Sequence, residues 1–470
     1  MSPRIGLNLA AWVIVLASAA PVLAEGTTPT PFPSKVSPNG RFLLDQNGKP
    51  FFWLADTAWE LFHRLDPKDA DLYLRDRAAK GFTVIQAVVL AEHRFQDPNA
   101  SGHLPLRDND PSRPVEEYFK DVDAVVEKAD RLGLVIGMLP TWGDKWNKKW
   151  GQGPEIFTPE NAADYGRFLG KRYRDKPIVW ILGGDRPVET PAHLAIIRAM
   201  AAGLKEGDGG RHLMTYHPNG GHTSAEWFEG DNWLAFNLLQ SGHDYDRENW
   251  KRIADDYART PVKPCTDGEP GYEDHPAGFN AKNGYLGAAD VRKSAYWALF
   301  AGAHGHTYGC HDIWQFLDKT KGREPITAAR TPWTTAIEFP GAGQMGYARR
   351  LMESRPFLSR IPDPSVVASD HGRGGDHIEA TRDADGSYAL VYSPTGKPFT
   401  VDLEKLSGAT LRAWWFNPRT GEAIEAGTVP RKGARAFTPP TQGKGNDWVF
   451  VLDDAARGFG APGKPAAPRD

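Results

Sequence analysis

Phe51-Phe52-Trp53-Leu54-Ala55, the amphipathic stretch Asp69 to Lys80, a stop at Gly81 and then Val84-Ile85-Gln86-Ala87-Val88-Val89 read together as strand, helix and parallel strand. The second run is almost wholly apolar, which suits a strand covered on both faces. Working outward, the same alternation repeats. Val115 to Leu132 carries Tyr118, Phe119, Val122, Val125, Val126 and Ala129 at helical spacing, and Leu134 to Leu139 follows as a third strand. Ala162 to Tyr173 is a helix, Ile178-Val179-Trp180-Ile181-Leu182 a fourth strand, and Ala192 to Lys205 its helix. Shorter runs at Leu213 to His217, Leu234 to Leu238, Val262 to Thr266 and Gly305 to Gly309 complete eight strands, with an Ala-rich helix at Ala288 to Gly302. No Gly-rich phosphate loop follows the first strand, so an open doubly wound sheet is the weaker fit. The expected fold is α/β: a (β/α)8 TIM barrel over residues 40–355.

Beyond Pro356 the pattern changes to short alternating stretches at His377 to Thr381, Tyr388 to Tyr392, Thr400 to Leu403, Leu411 to Phe416 and Trp448 to Leu452. Turn signals such as Asp385-Gly386 and Pro394-Thr395-Gly396 separate them. A small all-β sandwich is expected over 356–454, and a disordered Gly-, Pro- and Ala-rich tail over 455–470. At the other end, Arg4 precedes an apolar run from Leu7 to Ala20, and Pro21-Val22-Leu23-Ala24 offers a signal-peptidase site. The run is short for a membrane span. Residues 1–24 are therefore expected to be a signal peptide, 25–39 a flexible leader, and the product periplasmic or secreted, with no membrane span after cleavage.

Of 470 residues, 11% are aromatic and 16 are Trp, and the formal net charge of −3 advertises no nucleic-acid partner. The two cysteines, Cys265 and Cys310, are too few for a disulfide framework or a cysteine-built zinc site, and both a bridge and two buried thiols stay open.

Function in such a barrel collects at the C-terminal ends of the strands. Those ends carry Asp56 and Trp59, Glu92-His93, Trp142 and Asp144, Gly184-Asp185, His217, Asn237 with Gln240, Asp267-Gly268-Glu269, and finally His311-Asp312. Carboxylates, histidines and tryptophans in one ring are the chemistry of a sugar site, because cleaving a glycosidic bond takes two carboxyl groups and a sugar's C–H face stacks on indole. Asp185 and Glu269, after strands four and seven, face each other across the mouth. Each also has a plain structural reading, as a helix cap and as a loop salt-bridge partner, and spacing alone leaves both open. Asp56, His93, Trp142, His217 and Gln240 are candidates for holding hydroxyls and stacking the ring. Trp59 is the aromatic best suited to the core.

The block from Phe42-Leu43-Leu44-Asp45-Gln46-Asn47-Gly48-Lys49-Pro50 through Trp53-Leu54-Ala55-Asp56-Thr57-Ala58-Trp59 closely resembles the opening of the apiosidase-like family, glycoside hydrolase family 140. The resemblance continues through Lys80-Gly81-Phe82, Val179 to Asp185, and Asp267-Gly268-Glu269-Pro270-Gly271-Tyr272-Glu273. It implies a barrel hydrolase acting on apiose-containing pectin side chains such as those of rhamnogalacturonan II, a plant cell-wall saccharide, without cofactor or metal. It also implies that Asp185 is the acid/base and Glu269 the nucleophile of a retaining mechanism. Many related retaining barrels carry Asn-Glu after strand four, whereas this chain has Gly184-Asp185. Three rival readings remain: another furanose or pyranose specificity, a metal-dependent hydrolase built on His304, His306, His311 and Asp312, and a non-catalytic carbohydrate-binding protein.

Overall fold

The computed structural model describes residues 29–464. The expected signal peptide lies outside the described residues. Eight parallel strands follow one another: β1 (Trp53–Thr57), β2 (Val84–Leu90), β3 (Val135–Thr141), β4 (Ile178–Gly183), β5 (Met214–His217), β6 (Asn237–Leu239), β7 (Cys265–Asp267) and β8 (Gly305–Tyr308). Six of them form one ladder in the order β8-β1-β2-β3-β4-β5, and β6 pairs with β7. Two seams close the ring. Ala235 N donates to Met214 O (2.8 Å) beside β5, and His304 N donates to Cys265 O (2.9 Å) beside β8. The expected TIM barrel is the observed fold.

Side chains on a strand alternate between two faces, and here each face has its own core. Trp53, Val84, Val88, Val135, Leu139, Val179, Ile181 and Leu238 fill the barrel interior. Their neighbours Leu54, Ile85, Val89, Ile136, Met138, Ile178 and Trp180 turn outward against the helices. The helix layer includes Pro67–Ala79, Glu116–Arg131, Pro159–Tyr173, Pro191–Asp208, Ala288–Phe300 and Pro340–Glu353.

This alternation corrects one expected site residue. Asp56 has the outward parity of Leu54, not the inward parity of Ala55. It is fully buried, accepts from Tyr73 Oη (2.6 Å), and pairs with Arg77 Nε (2.5 Å) on the helix Pro67–Ala79. It lies outside the cavity described below and ties β1 to its helix. Removing one member of a buried pair strands the other charge, at a cost of about 3–5 kcal/mol. Asp56→Ala is therefore expected to lower the melting temperature sharply while leaving KM unchanged at temperatures where the enzyme stays folded. Lost substrate affinity with unchanged melting would return Asp56 to the site.

The expected flexible leader is also corrected from residue 29 onward. Pro33–Val36, Leu43–Asp45 and Pro50–Phe51 form a small antiparallel sheet, and Phe32, Leu43 and Phe51 join the interior core at the end of the barrel where the strands begin. Apolar residues between the prolines decide this, since burying them offsets the entropy of ordering the segment.

The C-terminal region is antiparallel. Strands β9 (Arg360–Pro362), β10 (Glu379–Asp383), β11 (Tyr388–Ser393), β12 (Phe399–Asp402), β13 (Thr410–Phe416), β14 (Ala423–Pro430), β15 (Ala434–Phe437) and β16 (Trp448–Asp454) form a six-stranded sheet, β9-β10-β11-β16-β13-β14, and a β12-β15 pair. Ala389, Val391, Ala413, Trp415, Phe450 and Leu452 face the β12-β15 pair. The alternate residues Leu390, Tyr392, Trp414, Phe416, Val449 and Val451 belong to the core shared with the barrel helices. Trp297 Nε1 donates to His377 O (2.8 Å), Arg292 pairs with Asp447 (2.8 Å), and Tyr296 stacks on Tyr392 at 4.9 Å. The tail expected to be disordered from Ala455 is seated through Lys464: Gly460 O accepts from Arg355 Nη2 (3.1 Å), and Gly463 N donates to Ser354 Oγ (3.2 Å). No helix among the described residues is long and apolar enough to cross a membrane.

Candidate active site

A cavity of about 610 Å³ opens where the barrel strands end, and both Asp185 and Glu269 line it. Trp59, Trp142 and Trp150 contribute aromatic wall, with Glu92, His93, Gln240, His243, Tyr272 and Trp314 among the other lining residues.

Asp185 is delivered by an abrupt turn. Gly183 and Gly184 have φ of 95° and 113°, and a Cβ at Gly184 would stand 2.7 Å from Gly143 N. Only glycine fits there. Asp185 itself has φ of 51°, a left-handed conformation that Asp tolerates better than most residues. Its Oδ2 accepts from Arg186 Nη1 (3.1 Å) and Trp150 Nε1 (3.4 Å). The Arg186 side chain is fully buried and its other nitrogen grips Glu92, so the guanidinium is fixed between two carboxyls.

Glu269 is held from both sides. His217 Nε2 stands 2.9 Å from Oε2 and His243 Nε2 stands 3.0 Å from Oε1. The Trp59 indole packs edge-on to His217 at 5.3 Å and donates to Tyr272 Oη at 3.2 Å. The two carboxyls consequently titrate apart. Burial raises Asp185, the charge of Glu269 raises it further, and Arg186 and His217 only partly oppose this, leaving it pushed up to about 6. Burial also acts to raise Glu269, but hydrogen bonds and charge from His217 and His243 outweigh it and hold the carboxyl well below the usual range. Two acids driven to opposite protonation states are equipped for one to donate a proton and the other to attack.

The other expected residues divide. His93, Trp142 and Gln240 line the cavity; His93 Nδ1 lies 3.1 Å from Gln152 Nε2, and Gln240 Oε1 has no partner among the described residues. His217 sits behind Glu269, fully buried, and reaches the cavity through that carboxyl. Trp59, expected in the core, is buried in the interior core and also presents cavity wall. Sequence reasoning missed His243, Trp150 and Arg186. The signal for Arg186 was adjacency to Asp185, but His243 and Trp150 stand several residues into loops, where strand-end counting has no reach.

The histidines near β8 do not converge. His304 packs edge-on against Trp53 and Phe236 at 6.2 and 5.3 Å, whereas His311 Nε2 lies 2.9 Å from Thr327 O in the cavity rim. Among the described residues no group of three or more His, Cys, Asp or Glu side chains is placed to hold a metal ion. Cys265 and Cys310 are both free and buried.

A family model described as "Apiosidase-like, catalytic domain" matches residues 37–359. The chain belongs to the apiosidase-like family. Like that family, it is a glycoside hydrolase on an α/β barrel. A second model, "Putative collagen-binding domain of a collagenase", matches residues 361–453. A solved structure titled "Glycoside hydrolase" is 35% identical with a TM-score of 0.83, covering 90% of this apiosidase-like chain and 97% of its own. A glycoside hydrolase family 5 structure from Bacteroides vulgatus ATCC 8482 is 34% identical, also with a TM-score of 0.83, covering 92% and 96%. Comparison with curated proteins finds no match.

Proposed function

We propose that this glycoside hydrolase cleaves apiose-containing side chains of plant pectin by a retaining mechanism, with Asp185 as acid/base and Glu269 as nucleophile. The observation that carries the mechanism is the opposite displacement of two carboxyls in one cavity, Asp185 upward and Glu269 downward. The family match supports the substrate class, and the Leu7 to Ala20 apolar run before Ala24 supports export to where such a polymer is met.

In the first step Glu269 attacks the anomeric carbon, the bond to the leaving oxygen breaks, and Asp185 gives that oxygen its proton. In the second, water attacks the same carbon, Asp185 takes the water's proton, and the ester bond breaks to restore the Glu269 carboxylate. His93, Trp142 and Gln240 hold and stack the sugar, and His217 and His243 keep the nucleophile ionised.

The test is incubation with a panel of pectic oligosaccharides, including rhamnogalacturonan II side chains, with released sugars separated by chromatography and the anomer of the first product followed by NMR. Free apiose or an apiose-terminated fragment is expected, with the anomeric configuration kept. Release of another sugar would move the specificity; an inverted first product would remove the nucleophile role.

A further inference from the structure

Six large apolar side chains are conspicuously exposed among the described residues: Leu72, Leu104, Trp150, Val262, Phe279 and Ile424. Of these only Trp150 and Phe279 line the cavity, at 61% and 63% exposure. Phe279 stands edge-on to His243 and His275, on the Glu269 side. Trp150 stands on the Asp185 side. The Arg186 guanidinium lies 4.8 Å from its ring centroid, and its Nε1–H points to Asp185 Oδ2. Arg186 is immobilised between Asp185 and Glu92, so the indole is braced on one side and left open to solvent elsewhere.

A proton donor stands next to the oxygen that departs, and whatever that oxygen carries must pass the residues beside the donor. We propose that Trp150 is the stacking platform for the sugar on the leaving side of the scissile bond, so that the enzyme recognises a saccharide beyond the bond it cuts. This rests on Asp185 being the acid. The face of the indole matches the apolar C–H face of a pyranose or furanose ring, and its brace means that little ordering is needed when the sugar arrives. A second consequence concerns the donor itself. Trp150 Nε1 and Arg186 Nη1 both converge on Oδ2, which leaves Oδ1 to carry the transferable proton toward a leaving oxygen held by the platform.

The experiment compares the best oligosaccharide substrate with the glycosyl fluoride of the same sugar, whose leaving group has no ring and needs no proton. Trp150→Ala is expected to lose about 10- to 100-fold in kcat/KM on the oligosaccharide, chiefly through KM, and far less on the fluoride. Trp150→Phe keeps an aromatic face without the N–H and is expected to recover most of the oligosaccharide rate. Equal losses on both substrates, or a Phe variant as poor as the Ala variant, would overturn the platform. The acid assignment fails separately: Asp185→Asn should spare kcat/KM on the fluoride, which reports only the first step, and lose it on the oligosaccharide, whatever Trp150 does.

Discussion

The Glu269→Gln enzyme is expected to lose turnover by about 10⁴- to 10⁶-fold, the scale seen when a member of a catalytic unit is removed, with little change in melting temperature. The amide is isosteric, so the cavity keeps its shape. The bonding, however, must rearrange. The Glu269 carboxylate bonds His243 and lies 2.9 Å from His217, able to accept from either, whereas an amide offers one acceptor and one donor. One imidazole must present a lone pair at Nε2, and it can, because Nδ1 of both histidines has no partner among the described residues and can take the proton. The loss is thus chemical, read as kcat near background with folding intact by circular dichroism. The same variant should also lower the titration of Asp185 below about 6, since the negative charge that helps raise it is gone. An Asp185 signal that does not move, followed by NMR, would mean the two carboxyls do not share one field. Near-wild-type turnover would remove Glu269 from the mechanism.

Asp185→Asn is expected to cost about 10²- to 10⁴-fold in kcat/KM on substrates with poor leaving groups, the usual worth of a positioned general acid. The pH profile carries the sign. The acid must be protonated in the free enzyme, and Asp185 titrates near 6, so kcat/KM for the wild type should hold below that pH and fall as pH rises through it. Glu269 must be ionised, and it is held well below the usual carboxylate range, so the acidic limb lies low and the optimum is mildly acid. In Asp185→Asn the limb near pH 6 should vanish. Azide should restore turnover of activated substrates, by attacking the glycosyl ester and leaving as a glycosyl azide without any proton transfer. An unchanged limb near pH 6 would assign that titration to another group.

Much of this fold could be read from the chain because each barrel strand is an apolar run flanked by a turn, and that signal is local. All eight strands lie where the alternation puts them, but three of the four short ones start later than expected: the seventh begins at Cys265, not Val262, because Lys263 and Pro264 interrupt the run. The helix Pro340–Glu353 escaped notice because glycines at 341, 343 and 346 mask a helical pattern. Packing explains two of them, since a Cβ at Gly346 would stand 2.3 Å from Lys80 O and one at Gly341 would meet the Glu273 carboxyl. The two acids were legible as polar residues at strand ends. Asp56 was misread for the same reason, because nearness to a strand end says nothing of which face a side chain takes. His243 and Trp150 depend on how long loops return over the barrel, and no local pattern records that.

The helix Ala288–Phe300 has barrel on one flank and the six-stranded sheet on the other, with the Arg292 charge neutralised by Asp447 across the join. The boundary near residue 360 is therefore a boundary in sequence and not in energy. A chain cut there would leave an orphaned guanidinium and a bare tyrosine and tryptophan on the helix that follows Glu269. What a family model divides into a catalytic unit and an appendage is, thermodynamically, a single body, and the appendage serves as the outer buttress of the wall that carries the nucleophile.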